Sequence, residues 1–317
     1  MKVLMISTDS KIFEPLSEVR LRMISQAESF GKLTIAIIGK KSFLPQVIND
    51  KLTVFSLGRL ESFFWCPMRD YELVTSQNPF EHGLIGWLWA GKINAKLQLQ
   101  IHTDFLNPYF AQESLLNKIR LRLAKFLLPR ADSVRVVSQR IADSLVGAGI
   151  RLRQKPVVQP VKIDLEKIKN EPIKIDLHDR YSQFKKIVLM ASRLTREKNI
   201  DLAIRAMNSI IKSRPGTGLV IVGSGPEEGR LKQLVKQLKL EKNVFFESWT
   251  NNLSSFYKTA DLFLLTSFYE GYGRTIVEAM ACGCVVVSTD VGVAREVGAI
   301  ISGDNITDLV ETLEKIL

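Results

Sequence analysis

The chain has 317 residues, of which 46% are hydrophobic and 24% are charged. This length exceeds one ordinary domain of about 100–150 residues and suits two α/β domains. The composition excludes a disordered chain, and no run reaches the ~18 consecutive apolar residues that a membrane-spanning helix needs. The apolar run in Met1–Asp9 is too short for a secretory signal, so we expect it to be the first strand of a sheet.

The net charge of +11 requires an explanation, such as an anionic partner. Residues 1–150 carry 19 basic and 13 acidic side chains, and residues 151–317 carry 25 and 20. The segment Ser114–Arg130 holds five basic residues, no acidic one, and apolar residues at helical spacing. Such a helix suits an anionic membrane surface or an acidic acceptor, and the alternative is a half-buried helix with a solvated outer face. We expect no nucleic acid partner, because no nucleic-acid-binding motif accompanies the charge.

Three cysteines, Cys66, Cys282 and Cys284, give an odd count. Cys282 and Cys284 lie too close in sequence to pair comfortably. We therefore expect buried thiols in a reducing cytoplasm.

Short apolar runs alternate with helical patterns along the chain, which is typical of βαβ units and a parallel sheet. The strands predicted in the first half are Val3–Ile6, Leu33–Ile38, Thr53–Leu57, Tyr71–Val74, Leu97–Ile101 and Ser133–Val137. The helices predicted between them are Leu16–Phe30, Phe80–Gly91, Ser114–Leu128 and Gln139–Val146.

A charged, proline-punctuated passage from Lys155 to Lys186 predicts a hinge, after which the alternation restarts. The strands predicted there are Ile187–Ala191, Leu219–Val222, Val244–Glu247, Leu262–Thr266 and Val285–Ser288. The predicted helices are Asn199–Ser213, Glu227–Lys239, Leu253–Thr259, Arg274–Cys282 and Asn305–Leu317. We predict two α/β domains, residues 1–158 and 159–317, that face each other across a cleft. Ligands of such sheets bind beyond the carboxyl ends of the strands.

Two carboxylates eight positions apart, Glu270 and Glu278, bracket a glycine-rich turn that follows the strand Leu262–Thr266. The turn consists of Gly271, Tyr272, Gly273, Arg274 and Thr275. Because it opens a helical pattern, its backbone N–H groups are available to hold an anion. Both carboxylates could then face one ligand with phosphates and hydroxyls, and a nucleotide-sugar is the obvious candidate.

Two cations, Arg193 and Lys198, share the loop after the strand Ile187–Ala191. They could neutralise a diphosphate leaving group through charge-assisted hydrogen bonds, and a solvated charged loop is the alternative. After the next strand, Gly223–Pro226 has two glycines but lacks the third glycine of a dinucleotide fingerprint, so the signal for NAD is weak.

Taken together, Ala191–Lys198, Val222–Glu227 and Glu270–Val286 resemble the donor domain of glycosyltransferase family 4, the group 1 retaining enzymes. The resemblance implies the GT-B fold, in which two Rossmann-like parallel-sheet domains face each other across a cleft. The N-terminal domain would bind the acceptor, and the C-terminal domain would bind the nucleotide-sugar donor.

The resemblance also implies roles for individual residues. Arg193 and Lys198 would grip the donor diphosphate, and Glu278 would bind the ribose hydroxyls. Glu270 would be a catalytic residue that contacts the transferred sugar and does not act as a nucleophile. His102, at the end of a predicted strand, would face the donor sugar. Backbone contacts to the donor would come from Gly223 and from Gly271, Tyr272, Gly273, Arg274 and Thr275.

Two departures from the family pattern concern the ends of the chain. Many relatives carry a Gly-Gly loop after the first strand, where this chain has Thr8–Leu16. Arg20 or Arg22 would then replace its donor contacts. Relatives often continue past the position of Leu317 with a helix that crosses back to the first domain.

We expect a retaining hexosyltransferase that uses a nucleotide-diphosphate sugar and an acceptor hydroxyl. Because no Asp-x-Asp motif stands out in the donor half, we expect no metal and no other cofactor. The expected acceptor is a glycan or a lipid-linked sugar, in cell-surface polysaccharide or glycolipid assembly in the cytoplasm, at the inner face of the membrane. The alternatives are a sugar-nucleotide epimerase or a phosphorylase of the same fold, and a non-catalytic nucleotide-sugar binding module.

Overall fold

The computed structural model describes residues 1–39, 43–65 and 70–317. It divides into two compact units, Met1–Gln159 and Pro160–Leu317, and each unit has its own sheet. Of the predicted buried thiols, Cys66 lies outside the described residues. Cys284 is buried and Cys282 is only partly buried, and neither forms a disulfide.

The first unit is built on an eight-stranded sheet in the order β3-β4-β2-β1-β5-β6-β7-β8. Its strands are β1 Lys2–Ser7, β2 Lys32–Gly39, β3 Phe43–Val47, β4 Leu52–Gly58, β5 Leu73–Ser76, β6 Lys96–Ile101, β7 Ser133–Val136 and β8 Val157–Val158. Strand β3 runs antiparallel to β4, and the other pairings are parallel. The order reverses direction at the junction of β1 and β5, which makes this junction the topological switch point.

The helices of the first unit begin at side-chain caps in several cases. Ser17 accepts a hydrogen bond from the N–H of Arg20, and Ser114 accepts one from the N–H of Asn117, as serine N-caps do. The helices are α1 Glu18–Ala27, α2 Glu61–Phe64, α3 Glu81–Ile93, α4 Pro108–Gln112, α5 Leu115–Leu127 and α6 Gln139–Gly147, with 3-10 turns at Ser10–Phe13 and Leu128–Arg130.

The second unit has a six-stranded sheet over the described residues, in the order β11-β10-β9-β12-β13-β14, with every pairing parallel. Its strands are β9 Lys186–Ala191, β10 Thr217–Val222, β11 Val244–Glu247, β12 Leu262–Leu265, β13 Val285–Thr289 and β14 Ile300–Ser302. Its helices are α7 Leu165–Asn170, α8 Leu177–Arg180, α9 Ile200–Ser213, α10 Glu228–Gln237, α11 Leu253–Thr259, α12 Arg274–Ala281 and α13 Ile306–Ile316, with a 3-10 turn at Arg196–Lys198.

Both faces of the second sheet carry an apolar core, because parallel sheets are covered by helices on both sides. Leu219 and Ile221 of β10 point to the cluster that contains residues of α9, α10 and α13. Val220 and Val222 point to the cluster that contains residues of α8, α11 and α12. All four side chains are 0% exposed. The near-continuous apolar run of this strand follows from its burial on both faces.

The strands and helices predicted from the sequence are present within a few residues of their predicted bounds, and the predicted fold class of two parallel α/β sheets is confirmed. Several short elements were not predicted. They comprise β3, β8 and β14, and helices α2, α4, α7 and α8. Helices α7 and α8 lie in the passage that was predicted as a hinge, where short polar helices show no apolar period to detect.

We predict opposite effects of alanine at two glycines after strand β10. The backbone of Gly223 has φ +148°, and a Cβ there would lie 1.9 Å from the carbonyl oxygen of Ser192. Gly223→Ala should therefore lower the free energy of unfolding by about 1–3 kcal/mol. Gly229 in α10 has nothing within 4 Å of an added Cβ, so Gly229→Ala should raise the free energy of unfolding by up to ~1 kcal/mol. Denaturant unfolding measures both, and equal effects of the two substitutions would contradict this description of the Gly223 turn.

Candidate functional site

The loops that carry most of the predicted donor residues meet at the switch point of the second sheet. Strands β9 and β12 are neighbours, with Val188 opposite Leu262 and Leu189 opposite Phe263. The chain leaves β9 toward one edge of the sheet and leaves β12 toward the other. A crevice forms where two such loops diverge, and open α/β sheets bind ligands there.

The structure brings Lys198 and Glu270 together across this junction. Nζ of Lys198 lies 2.5 Å from Oε1 of Glu270. The two side chains are only 13% and 14% exposed. The hydroxyl of Ser267 donates to the same carboxylate oxygen at 2.8 Å. Two residues 72 positions apart in the chain thus form a half-enclosed ion pair in which the carboxylate has a second donor.

Hydrogen bonds to backbone carbonyl oxygens hold the segments around this ion pair together. The N–H of Phe268 donates to the carbonyl oxygen of Glu197 at 2.8 Å. The hydroxyl of Thr266 donates to the carbonyl oxygen of Asn199 at 2.9 Å, and the hydroxyl of Thr289 donates to the carbonyl oxygen of Ser267 at 2.7 Å. Because these bonds tie the two loops to each other and to the end of β13, the surrounding backbone positions Lys198 and Glu270.

Arg193 lies in the same loop as Lys198 but in a different setting. Its side chain is 75% exposed, and Nη2 lies 3.0 Å from Oε1 of Glu197. The hydroxyl of Thr195 donates to the same oxygen at 2.6 Å. An exposed ion pair of this kind contributes little to stability, so Arg193 can leave Glu197 for another anion at small cost.

The glycine-rich turn leads into helix α12. Gly273 occupies the N-cap position with φ +86°, and no side chain caps the first N–H groups of the helix. A helix start of this kind offers backbone donors to an anion. The turn is held from the other side by the N–H of Val293, which donates to the carbonyl oxygen of Tyr272 at 2.9 Å.

Glu278 lies on the second turn of α12 and is 8% exposed. Its Oε1 accepts a hydrogen bond from Nε of Arg274, one turn earlier in the same helix. The two predicted carboxylates therefore have separate cationic partners, since Glu270 pairs with Lys198 and Glu278 pairs with Arg274.

Gly223 lies at the end of β10 beside the loop that carries the two cations. The N–H of Leu194 donates to the carbonyl oxygen of Ser224 at 2.9 Å, and the N–H of Ser192 donates to that of Val222 at 3.1 Å. The glycine thus lets the loops after β9 and β10 approach each other closely.

A cavity of about 450 Å³ lies beside these loops. Arg230 bridges two acidic residues that line the cavity, with Nη1 2.6 Å from Asp201 and Nε 2.7 Å from Glu227. The lining residues are Thr195, Arg196, Asn199, Ile200, Asp201, Glu227, Arg230, Leu231 and Phe268. None of the predicted donor residues lines this cavity. Three lining residues, Thr195, Arg196 and Asn199, belong to the same stretch of chain as Arg193 and Lys198.

His102 follows strand β6 of the first unit. Nε2 of its ring lies 3.2 Å from Oε1 of Gln100. Loss of hydration lowers the pKa of His102 to about 4, and the positive charges of Arg135 and Arg22 act in the same direction. The imidazole is therefore neutral at physiological pH.

The basic segment Ser114–Arg130 contains helix α5, and its apolar residues divide between two faces. Ala124 and Leu127 are buried. Leu115 is 74% exposed, and three further large apolar side chains on the helix are 43–52% exposed, namely Leu116, Ile119 and Phe126. The core thus takes only part of the apolar surface that the sequence places on this helix.

Sequence reasoning missed two residues that position the predicted ones. Ser267 donates to Glu270, and Glu197 accepts from Arg193 and presents its carbonyl oxygen to Phe268. A serine just before a loop motif has many possible roles, and a glutamate between two cations resembles an ordinary solvated charge. Only the fold shows that both side chains point back to the site.

Comparison with known proteins supplies the family. The model of the family described as Glycosyl transferases group 1 matches residues 179–317. These residues, which make up most of the second unit, are therefore similar to group 1 glycosyltransferases. The resemblance to family 4 drawn from the motifs is therefore confirmed, and the matched region contains every donor residue predicted in the second unit.

Two bacterial enzymes are among the curated proteins to which this chain is similar. An N-acetylgalactosaminyltransferase of Campylobacter jejuni, whose substrate is named as N-acetylgalactosamine-N,N'-diacetylbacillosaminyl-diphospho-undecaprenol, is 32% identical over 178 residues, which is 56% of this chain and 46% of the relative. The alpha-monoglucosyldiacylglycerol synthase of Streptococcus pneumoniae is 26% identical over 228 residues, 68% of this chain and 51% of the relative. The chain thus spans about half the length of these relatives.

Solved structures match the whole chain. The Anabaena protein HepE in complex with UDP-glucose superposes with a TM-score of 0.74 at 22% identity, covering 99% of this chain and 89% of HepE. The sucrose-phosphate synthase of Thermosynechococcus elongatus superposes with a TM-score of 0.75 at 19% identity, covering 100% and 89%. The chain has the GT-B fold, as the resemblance to family 4 implied.

Proposed function

We propose that this protein is a retaining glycosyltransferase that moves a hexosyl unit from a nucleotide-diphosphate sugar to an acceptor hydroxyl. The observation that carries the proposal is the Lys198–Glu270 ion pair at the switch point of the second sheet. In the crevice, the cation can bind the charged diphosphate of the donor. The carboxylate can accept hydrogen bonds from the hydroxyls of its sugar. Two neighbouring features support it, namely the uncapped start of α12 and the exposed Arg193.

The proposed donor contacts follow from these positions. Lys198 would exchange Glu270 for the diphosphate, and Arg193 would leave Glu197 to add a second cation. The N–H groups from Gly271 to Thr275 would face the anion, and the close turn at Gly223 would let backbone approach it. Glu278 would accept hydrogen bonds from the ribose hydroxyls, and Arg274 would then be released from it.

The proposed chemistry needs charge stabilisation rather than an enzyme nucleophile. Departure of the diphosphate places negative charge on its oxygen, and preorganised cations and N–H dipoles lower the barrier to that step. In a front-face reaction the departing oxygen takes the proton of the acceptor hydroxyl. Glu270, freed from Lys198, would bind the sugar hydroxyls, and His102 in the first unit would contact the sugar as a neutral imidazole.

The acceptor is proposed to be lipid-linked or anionic, in glycolipid or cell-surface polysaccharide assembly. The names of the two curated relatives mention a diphospho-undecaprenol and a diacylglycerol. No helix in the described part of the chain has the length and apolarity that crossing a membrane requires. We propose instead that α5 attaches the protein to the inner face of the membrane, because its exposed leucines and isoleucine lie among the exposed cations Lys118, Arg122 and Lys125.

If the donor site is as proposed, one substitution should lower the affinity of the protein for a nucleotide. Lys198→Ala should weaken UDP binding by about 10- to 100-fold, because a charge-assisted hydrogen bond contributes about 1.5–3 kcal/mol. Lys236→Ala, which removes an exposed lysine of α10, is the matched control and should bind UDP like the wild type. Calorimetry with UDP measures both, after a thermal-shift screen of nucleotide-sugars has chosen the donor.

Two results would contradict the proposed reaction. If Lys198→Ala bound UDP with near-normal affinity, the Lys198–Glu270 ion pair would not be part of the donor site. Conversion of a nucleotide-sugar to its epimer in the absence of any acceptor, followed by NMR, would show an epimerase.

The membrane proposal predicts binding to vesicles of anionic lipid. The wild type should float with phosphatidylglycerol vesicles at low salt and less so at high salt, because salt screens the basic residues. Ile119→Glu should abolish flotation. The control Ile306→Glu changes an isoleucine of similar exposure, 41% against 52%, in the second unit, and it should float normally. Failure of the wild type to bind at low salt, or equal loss in both variants, would contradict the proposal.

A further inference from the structure

One face of the first sheet carries polar side chains across three adjacent strands. Gln98 of β6 lies opposite Thr75 of β5, and Gln100 of β6 lies opposite Arg135 of β7. The other face of β6 and β7 is apolar, with residues such as Leu99 and Val136 at 0% exposure. Parallel sheets covered by helices are normally apolar on both faces, so a polar row of this kind is unusual.

Hydrogen bonds link most of this row into one chain. Thr75 donates to Gln98 at 3.1 Å, and the amide of Gln100 donates to Thr75 at 2.9 Å. Gln100 and Thr75 are 3% and 2% exposed. With its amide nitrogen turned to Thr75, Gln100 presents its oxygen to Nε2 of His102 at 3.2 Å. The neutral ring of His102 therefore carries its proton on Nε2, and Nδ1 is the acceptor nitrogen.

Arg135 of β7 contributes a buried nitrogen to this row. Its Nε is buried and has no hydrogen-bond partner within residues 1–39, 43–65 and 70–317. Loss of hydration lowers the pKa of Arg135. A buried donor without an acceptor costs about 1–3 kcal/mol, and more when it belongs to a charged group. Such a group calls for an acceptor that arrives from outside the described chain.

The surroundings of Arg135 select a negatively charged acceptor. Arg135 and Arg22 both act on His102 as positive charges. A guanidinium presents a planar fork of donors that matches phosphate and carboxylate oxygens. A hydroxyl of the same ligand can donate to Nδ1 of His102 beside it.

We propose that Arg135 anchors an oxyanion site in the first unit, beside His102, that takes a phosphate or carboxylate group of the acceptor. The assignment of the anion to the acceptor rests on the proposed glycosyltransferase function, whereas the site itself does not. Arg135 determines specificity by favouring an anionic acceptor over a neutral sugar. The alternative source of the same chemistry is the diphosphate of the donor.

The test uses inorganic phosphate as the probe and His102 as the reporter. NMR of the full chain with ¹³C-labelled histidine follows the ring signal of His102, assigned by its loss in His102→Gln. Phosphate should raise the pKa of His102 by about 1 unit, because an anion beside the ring favours its charged form. Arg135→Gln should abolish this response and Arg135→Lys should keep part of it. The control Arg151→Gln, which changes an exposed arginine of the same unit, should respond like the wild type.

A repeat of the titration with saturating UDP separates the two sources. A response of His102 to phosphate that persists with UDP bound supports an acceptor site. Loss of the response with UDP bound would overturn the assignment to the acceptor, because the anion would then be that of the donor. UDP binding itself, tested by Lys198→Ala, reports on the proposed function independently.

Stability supplies a second readout that does not depend on the reporter. Arg135→Met removes the unpartnered buried nitrogen, so its melting temperature should be equal to or above that of the wild type in the absence of phosphate. Phosphate should raise the melting temperature of the wild type more than that of Arg135→Met. A lower melting temperature of Arg135→Met without phosphate, or an equal response of both proteins, would overturn the proposal.

Discussion

The site depends on one interaction, the ion pair between Lys198 and Glu270. It joins the loops after β9 and β12, from which the chain continues toward opposite edges of the sheet. Removing one member of such an enclosed pair leaves the other charge uncompensated, which typically costs about 3–5 kcal/mol. Under the proposed function, a ligand that supplies a diphosphate to Lys198 and hydroxyls to Glu270 would satisfy both groups at once.

The two units place their charged side chains in different parts of a parallel sheet. In the second unit the cations lie in loops and are paired with carboxylates while the sheet beneath them is apolar. In the first unit Arg135 lies in the sheet itself, within a polar row, and its buried Nε has no hydrogen-bond partner among the described residues. This contrast underlies the two proposals, in which the second unit binds a diphosphate through exchangeable ion pairs and the first unit binds another anion at Arg135.

Much of the fold could be predicted from the sequence. Apolar runs such as that of β9 indicate buried strands, and helical periods such as that of α9 indicate helices with one buried face. The edge strand β3 and the short helices α7 and α8 could not, since short polar segments lack a period. The loop motifs around Lys198 and Glu270 identified the candidate donor residues. Their mutual contact, and the roles of Ser267 and Glu197, required the fold. Arg135 escaped notice because a single arginine in a strand pattern gives no signal until its neighbours are known.

The most direct test of this account is a double-mutant cycle on the free energy of unfolding, with Lys198→Met, Glu270→Gln and the double variant. The account predicts a coupling of about 1–3 kcal/mol in the absence of ligand. The exposed pair of Lys315 and Glu311, at 69% and 65% exposure, is the matched control and should show a coupling near 0.3–0.5 kcal/mol or less. Additivity of Lys198→Met and Glu270→Gln within about 0.5 kcal/mol would contradict the central place given to this ion pair.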